Sequence, residues 1–269
     1  MQRTAEQLKE QYDVESGLAT KLKQASRTER KTMYTAVYDE MLKRVPHHPL
    51  LTRKTSAEET AKAVKSQMSF LKRFIKDDMV FAEIGPGDCA VTFEMCKRAR
   101  KAYAIDVSNE IVRQKATPLN FELIISDGTS IPLSAGSVDV VYSNQLMEHI
   151  HPDDVKEQLT NILNVLEKGG RYVCITPSRI NGPHDISRYF DKRASGFHLK
   201  EYTFSELKKI FKAAGFSKVH GYIGAKGRFI RLPLFLLSLS EKMIGLLPVS
   251  ARRARIFDPV LNIRVVGIK

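Results

Sequence analysis

The sequence predicts an α/β fold with a doubly wound, mostly parallel sheet, and three observations carry that expectation. Apolar, β-branched runs near 79–84, 102–106, 121–125, 138–142 and 171–176 alternate with helix-period segments, the order that lays helices on both faces of a parallel sheet. The first run holds Glu83 and breaks at Gly85-Pro86-Gly87-Asp88 directly into a helical pattern, which reads as strand, glycine turn and helix start. The second run closes on an acid, Asp106. Two further runs, near 217–223 and 261–268, bring the expected total to seven strands.

Before the sheet come three helices. Leu8, Tyr12, Leu18 and Leu22 leave a loose helical stripe over 5–25, and Met33, Tyr34, Val37, Tyr38, Met41 and Leu42 a clear one over 28–45. Pro46 and Pro49 break the chain. The third helix starts at Ser56, where Glu59 completes a capping box, and runs to about Ile75. Residues 1–55 therefore form a helical cap on a domain spanning 56–269. Three roles suit the cap: a lid over the site, a dimer contact or a packing extension. Within the domain, a helix is expected from Pro152 to Gly169-Gly170, helped by Asp153 and Asp154 in its first turn. Another is boxed by Thr203 and Glu206 and stops at Gly215. The stretches 177–202 and 226–258 read as insertions on the substrate side, the first too long and polar for a plain connection.

Composition sets bounds on function. The 269 residues hold one large domain plus an appendage, and 43% hydrophobic with 27% charged residues is ordinary for a globular protein. The net charge of +13 is dispersed apart from Arg252-Arg253-Ala254-Arg255, so specific nucleic-acid binding is not expected. Cys89, Cys96 and Cys174 show neither pairing nor metal-ligand spacing and read as reduced thiols. No apolar stretch of signal-peptide length follows Gln2, and a cytoplasmic location is expected.

Charge decides the ligand of the glycine turn. A dinucleotide would bring a pyrophosphate to the helix start, but Glu83 precedes Gly85 and Asp88 follows Gly87, and two carboxylates repel phosphate and attract a cation. S-adenosylmethionine has the ribose and adenine without phosphate, and adds a sulfonium and an ammonium. At these residues the chain resembles the class I S-adenosylmethionine-dependent methyltransferases, in particular the bacterial small-molecule branch with a Glu-x-Gly-x-Gly first motif, over roughly 60–222. The resemblance implies a Rossmann-like sheet with the last two strands as an antiparallel pair. It implies that Glu83 orients the methionine ammonium above the Gly85-Pro86-Gly87-Asp88 turn. Asp106, with Val107 beside it, would bind the ribose hydroxyls, Asp127 and Gly128 the adenine, and the Asn144 backbone the methionine end. Cys89 departs from the pattern, since many relatives have a third glycine there.

Methyl transfer from a sulfonium is an in-line displacement that requires no metal, and no metal site is expected. A hydroxyl acceptor must also lose its proton. His149, after the fourth strand, and His198, in the loop after the fifth, are the candidate general bases; structural roles in turn and loop are the alternative. His184, Asp185 and Asp191 read as loop hydrogen-bonding or substrate-contacting groups. The expected function is O-methylation of a small-molecule acceptor. Its rivals are a methyltransferase working on a lipid-linked substrate with peripheral membrane contact, an NAD(P)-dependent reductase, and a non-catalytic binding module. The apolar stretch 232–249 falls short of the roughly 20 residues that span a bilayer. A wall over the acceptor pocket is the preferred reading for it, ahead of an interfacial helix beside Arg228, Arg231, Arg252, Arg253 and Arg255.

Overall fold

The computed structural model describes residues 3–52, 56–108, 116–225 and 227–269; the cap boundary drawn at 55 and the insertion start drawn at 226 lie outside them. Strands β1 (Val80–Ile84), β2 (Lys101–Asp106), β3 (Phe121–Ile125), β4 (Val138–Asn144) and β5 (Leu166–Pro177) are joined in parallel. Beside β5 lie β8 (Asn262–Ile268), β6 (Lys218–Ala225) and β7 (Arg228–Leu232), giving the order β3-β2-β1-β4-β5-β8-β6-β7 with antiparallel joins from β5 onward. The inner parallel strands are legible because both their faces are covered, which makes them near-continuous apolar runs, while β3 at the edge buries none of its residues fully.

Three expectations need correcting. The sheet has eight strands among the described residues rather than seven, because the stretch taken as an insertion begins with β7, a hairpin partner of β6. Five residues with exposed arginines at 228 and 231 suit an edge strand and hide its period. The helix after β4 spans Val155–Val165, and Gly169-Gly170 lie inside β5 instead of ending that helix. They serve a register shift opposite Val138 and Val140: Gly169 has φ +83°, and a Cβ on Gly170 would stand 2.9 Å from the Glu167 carbonyl. The third correction concerns 232–249, described below.

Helices α1 (Ala5–Gln24) and α2 (Arg27–Arg44) open on capping boxes at Thr4 and Ser26, and a one-turn α3 (Pro49–Thr52) follows the first proline break. Helix α4 (Ala57–Leu71) has the expected Ser56–Glu59 box but ends before Ile75. With α5 (Ala90–Cys96), it covers one sheet face through Phe70, Leu71, Val91 and Met95. Helices α6 (Val155–Val165) and α7 (Phe204–Ala214) cover the other through Leu159, Ile162, Leu207 and Phe211. Helix α8 (Leu234–Gly245) packs Leu234 and Leu237 into that second layer. Its outward residues Phe235 and Met243 are 66% and 63% exposed, and α8 lines a shallow groove against α7 rather than the cavities at the strand ends; an apolar run reveals that burial is available, not which face receives it. Among the described residues no helix is long and apolar enough to cross a membrane.

The cap has its own apolar cluster, in which Val14, Leu18, Tyr34, Val37 and Met41 pack on Phe197 and Leu199 from the loop after β5. It is tied to the sheet domain by a buried ion pair. The Arg30 guanidinium donates to both oxygens of Asp154, at 2.7 and 2.5 Å, and the two side chains are only 5% and 2% exposed. The Tyr34 hydroxyl donates to the same carboxylate at 2.9 Å and accepts from the His151 amide at 2.9 Å. Removing one partner strands a buried charge. Arg30→Ala should therefore lower unfolding free energy by about 3 kcal/mol in urea denaturation; a loss below about 1 kcal/mol would show that the pair is not what seats the cap.

Candidate active site

The carboxyl ends of β1, β2 and β4 open onto a crevice of about 660 Å³. From β1, the chain turns through Gly85 (φ +65°) and Gly87 (φ +56°) into α5. A Cβ on Gly85 would come 2.9 Å from the Leu146 side chain, which closes the crevice from the β4 side. Cys89 itself adopts φ +59°, so the position where relatives use glycine keeps the left-handed backbone at a cost of roughly 1–2 kcal/mol. Glu83 is buried below this turn, with the Thr92 hydroxyl donating to it, and burial pushes its carboxyl up to about 8.

Asp106 ends β2 at the crevice wall, accepts from the Ser108 amide at 3.1 Å and is raised above the usual carboxylate range by burial. Val107 and Asp88 line the same space, as do Ser126 and Gly128 beyond β3. Pro86 sits within the turn. The Asp127 carboxylate is placed differently from the expectation: it accepts from the amides of Thr129 and Ser130, at 3.0 and 2.7 Å, and lies 3.3 Å from Lys31 of α2. Burial alone would raise it, but those donors together hold it well below the usual range. Asp127 thus shapes its own loop, while Gly128, at φ +91° and against the Tyr34 ring, forms the wall. The Asn144 side chain likewise turns away, donating to Gln67 of α4 at 3.2 Å, and it is the next residues, Gln145 and Leu146, that line the crevice.

Sequence reasoning offered the cap as a lid over the site but named none of its residues as the opposite wall. Tyr34, Thr35, Tyr38, Asp39 and Leu42 of α2 line the crevice, and the Thr35 hydroxyl donates to the Val107 carbonyl at 2.9 Å. Their helical stripe read as generic packing, since periodicity marks a buried face without saying what it faces.

Beyond Tyr38 and His149 lies a second chamber of about 430 Å³, whose lining includes His48, His184, Asp185 and His198. The two candidate bases meet here, their rings edge to face with centroids 4.9 Å apart. His149 Nδ1 lies 3.0 Å from the Phe197 carbonyl, which can only accept, so that nitrogen carries the proton; the Tyr38 hydroxyl is 3.1 Å away. Burial, and then His198, pull His149 down to about 3, too weak for a base acting alone. His198 Nδ1 is 2.8 Å from Glu201. Burial would lower His198, but Glu201, Glu148 and Asp185 raise it above its ordinary value.

Glu148 joins them, fully buried, with Oε2 accepting from the Thr176 hydroxyl at 2.9 Å and Oε1 without a partner. Burial pushes it up to about 7. Ligand-type atoms of Glu148, His149 and His198 lie within 4.8 Å of one another. His184 and Asp185 are engaged in the loop: His184 Nε2 lies 3.1 Å from the Ser178 carbonyl, and Asp185 caps the turn Ile186–Tyr189. The Asp191 carboxylate accepts from Tyr12 of α1 at 2.6 Å.

Residues 82–174, from β1 through most of β5, match the family described as a methyltransferase domain. A Mycolicibacterium smegmatis protein named "Probable S-adenosylmethionine-dependent methyltransferase" is 34% identical over 86 residues, 32% of this chain and 31% of its own. The match thus spans about a third of that relative. An "Uncharacterized methyltransferase" of Geobacillus kaustophilus is 25% identical over 152 residues, 53% of this chain and 71% of its own. Among solved structures, a SAM dependent methyltransferase from Archaeoglobus fulgidus has the same fold, with TM-score 0.51, 15% identity, and coverage of 78% of this chain and 94% of its own.

A protonated Glu83 predicts a pH dependence. Its carboxyl, near 8 when the crevice holds no cation, loses its proton more readily once an ammonium sits above the turn, so binding S-adenosylmethionine releases a proton below that pH. Cofactor affinity should rise between roughly pH 6 and 8 and then level off, by up to about tenfold per unit. Calorimetry in buffers of different ionisation heat measures the release. Glu83→Gln should flatten the slope, and an equal slope in that variant would remove Glu83 from the ammonium's neighbourhood.

Proposed function

We propose that this chain, whose fold, cofactor and enzyme class are those of the class I S-adenosylmethionine-dependent methyltransferases, methylates an oxygen of a small-molecule acceptor held in the chamber beside His149 and His198. One observation carries the reading: His149 lines both the cofactor crevice and the chamber, so the acceptor and the cofactor's methyl group meet at a cluster that handles protons. Glu83 and Asp106 hold the cofactor's ends while the β1 turn brings the backbone close. The carbon–sulfur bond breaks with its electron pair left on sulfur, the oxygen–carbon bond forms, and the hydroxyl proton passes to the Glu148–His149–His198 cluster. A hydroxyl acceptor, which is uncharged and must shed its proton as the oxygen is methylated, suits such a cluster. Asp88, in the crevice wall beside the glycine turn, tells against the pyrophosphate of a pyridine nucleotide.

A second reading, a lipid-linked acceptor at a membrane surface, draws support from α8. Phe235, Leu239, Met243 and Leu246 stand exposed, and Phe235 and Leu239 share a shallow groove with Lys242 and with Lys208, Lys209 and Lys212 of α7, apolar side chains beside basic ones.

A screen of hydroxylated metabolites should find an acceptor that yields S-adenosylhomocysteine. With it, His198→Ala should lower kcat about 100-fold while cofactor affinity stays within about twofold. Turnover near wild type in that variant would take the cluster out of the reaction. For the second reading, flotation with anionic liposomes should show salt-sensitive binding that is lost when Phe235 and Leu236 become Ser; absence of binding leaves the soluble acceptor alone.

A further inference from the structure

We infer that Glu148, His149 and His198 form a site for one divalent transition-metal ion, where the cofactor crevice meets the acceptor chamber. Glu148 and His149 sit on a single turn, Met147–His149, after β4, and His198 arrives from the loop after β5. No local spacing links the two segments, so only the folded chain assembles the group.

The distances suit an ion. The three ligand-type atoms lie within 4.8 Å of one another, and metal bonds of about 2.0–2.2 Å to nitrogen and oxygen need only side-chain adjustment to close on one centre. Tautomers agree with this. Both imidazoles use Nδ1 toward an outer acceptor, His149 toward the Phe197 carbonyl and His198 toward Glu201, which leaves each Nε2 lone pair for a metal bond. Metal-bound histidines are held by just such outer partners.

Glu148 supplies the independent sign. It is 0% exposed, and Oε1 has no hydrogen-bond partner although Oε2 has Thr176. A buried carboxylate oxygen left unpaired is costly, and a cation answers it. Two imidazoles with one carboxylate favour zinc, iron, cobalt or nickel over magnesium or calcium. Three protein ligands leave positions open on the chamber side, where an acceptor hydroxyl would bind and become more acidic. With the ion in place the cluster's lone pairs are taken, so the proton passes to water instead of to the cluster, the oxygen takes the methyl carbon, and sulfur keeps the electron pair. This catalytic role rests on the proposed acceptor chemistry; binding of the ion does not.

The test uses the full chain without an affinity tag, stripped with a chelator. Titration with Co2+, followed by visible absorption, and with Zn2+, followed by calorimetry, should show one ion per chain with a micromolar or tighter dissociation constant. Glu148→Gln and His198→Ala should weaken binding tenfold or more, and Glu201→Gln, which alters the outer partner of His198 without removing a ligand, about tenfold. Unchanged S-adenosylhomocysteine affinity in these variants certifies their fold. No stoichiometric binding to the wild type, or equal binding by Glu148→Gln and His198→Ala, overturns the site. If stripped protein methylates its acceptor as fast as the loaded form, the ion's catalytic role falls and methyl transfer stands. If the ion binds but no acceptor turns over, the site stands and the acceptor reading falls.

Discussion

The Arg30–Asp154 ion pair is the constraint on which the arrangement of the site depends. Asp154 stands just before α6 but makes no side-chain cap for it; its carboxylate goes to Arg30 and Tyr34 instead. Two charges removed from water are tolerable only when each is fully answered, and here a two-pronged guanidinium and a hydroxyl do so. The geometry fixes α2 over the strand ends, placing Tyr34 against Gly128, Thr35 on the Val107 carbonyl and Tyr38 beside His149. Without it the crevice would lose a wall, and the two chambers would lose the side chain that stands between them.

Much of the sheet and of the cofactor crevice could be read from sequence because both are local. Glu83, Gly85, Gly87 and Asp106 owe their places to the strand on which each sits or ends, so neighbours in sequence suffice to recognise them. The Asp127 carboxylate shows the limit: its position beyond β3 was legible, but its orientation depends on two amides of its own loop and on Lys31 from the cap. Glu148 was visible only as the residue before His149. Its meaning comes from His198 and Thr176, which distant parts of the chain bring to it. Among the elements, β7 was missed because an edge strand need not alternate, and Gly169-Gly170 were misread because a glycine pair ends helices and relieves strand irregularities alike.

Buried acids give the interior a common electrical character. Glu83 is pushed up to about 8, and Glu148 and Glu241 to about 7, in each case by burial first. Glu241 answers its burial with the Phe204 amide and the Ser178 hydroxyl, which joins α8 to α7 and to the end of β5. An acid whose folded value exceeds its unfolded one binds its proton more tightly in the folded chain. Its contribution to stability is whole in acid and shrinks as pH rises from the ordinary carboxylate range toward the raised value. Glu83 and Glu148 carry this property at the strand ends, whereas Glu241 carries it among the bonds that hold helices together.

The sheet ends in β7, and that edge bears on how the protein behaves at high concentration. An outermost strand offers unpaired amides and carbonyls to any other extended chain. Arg228 and Arg231 are exposed on this strand, so a second copy seeking to add a strand there would bring its own arginines against them. Like charges in register oppose stacking, and the open sheet resists growing into a fibre without a helix or loop to cover it.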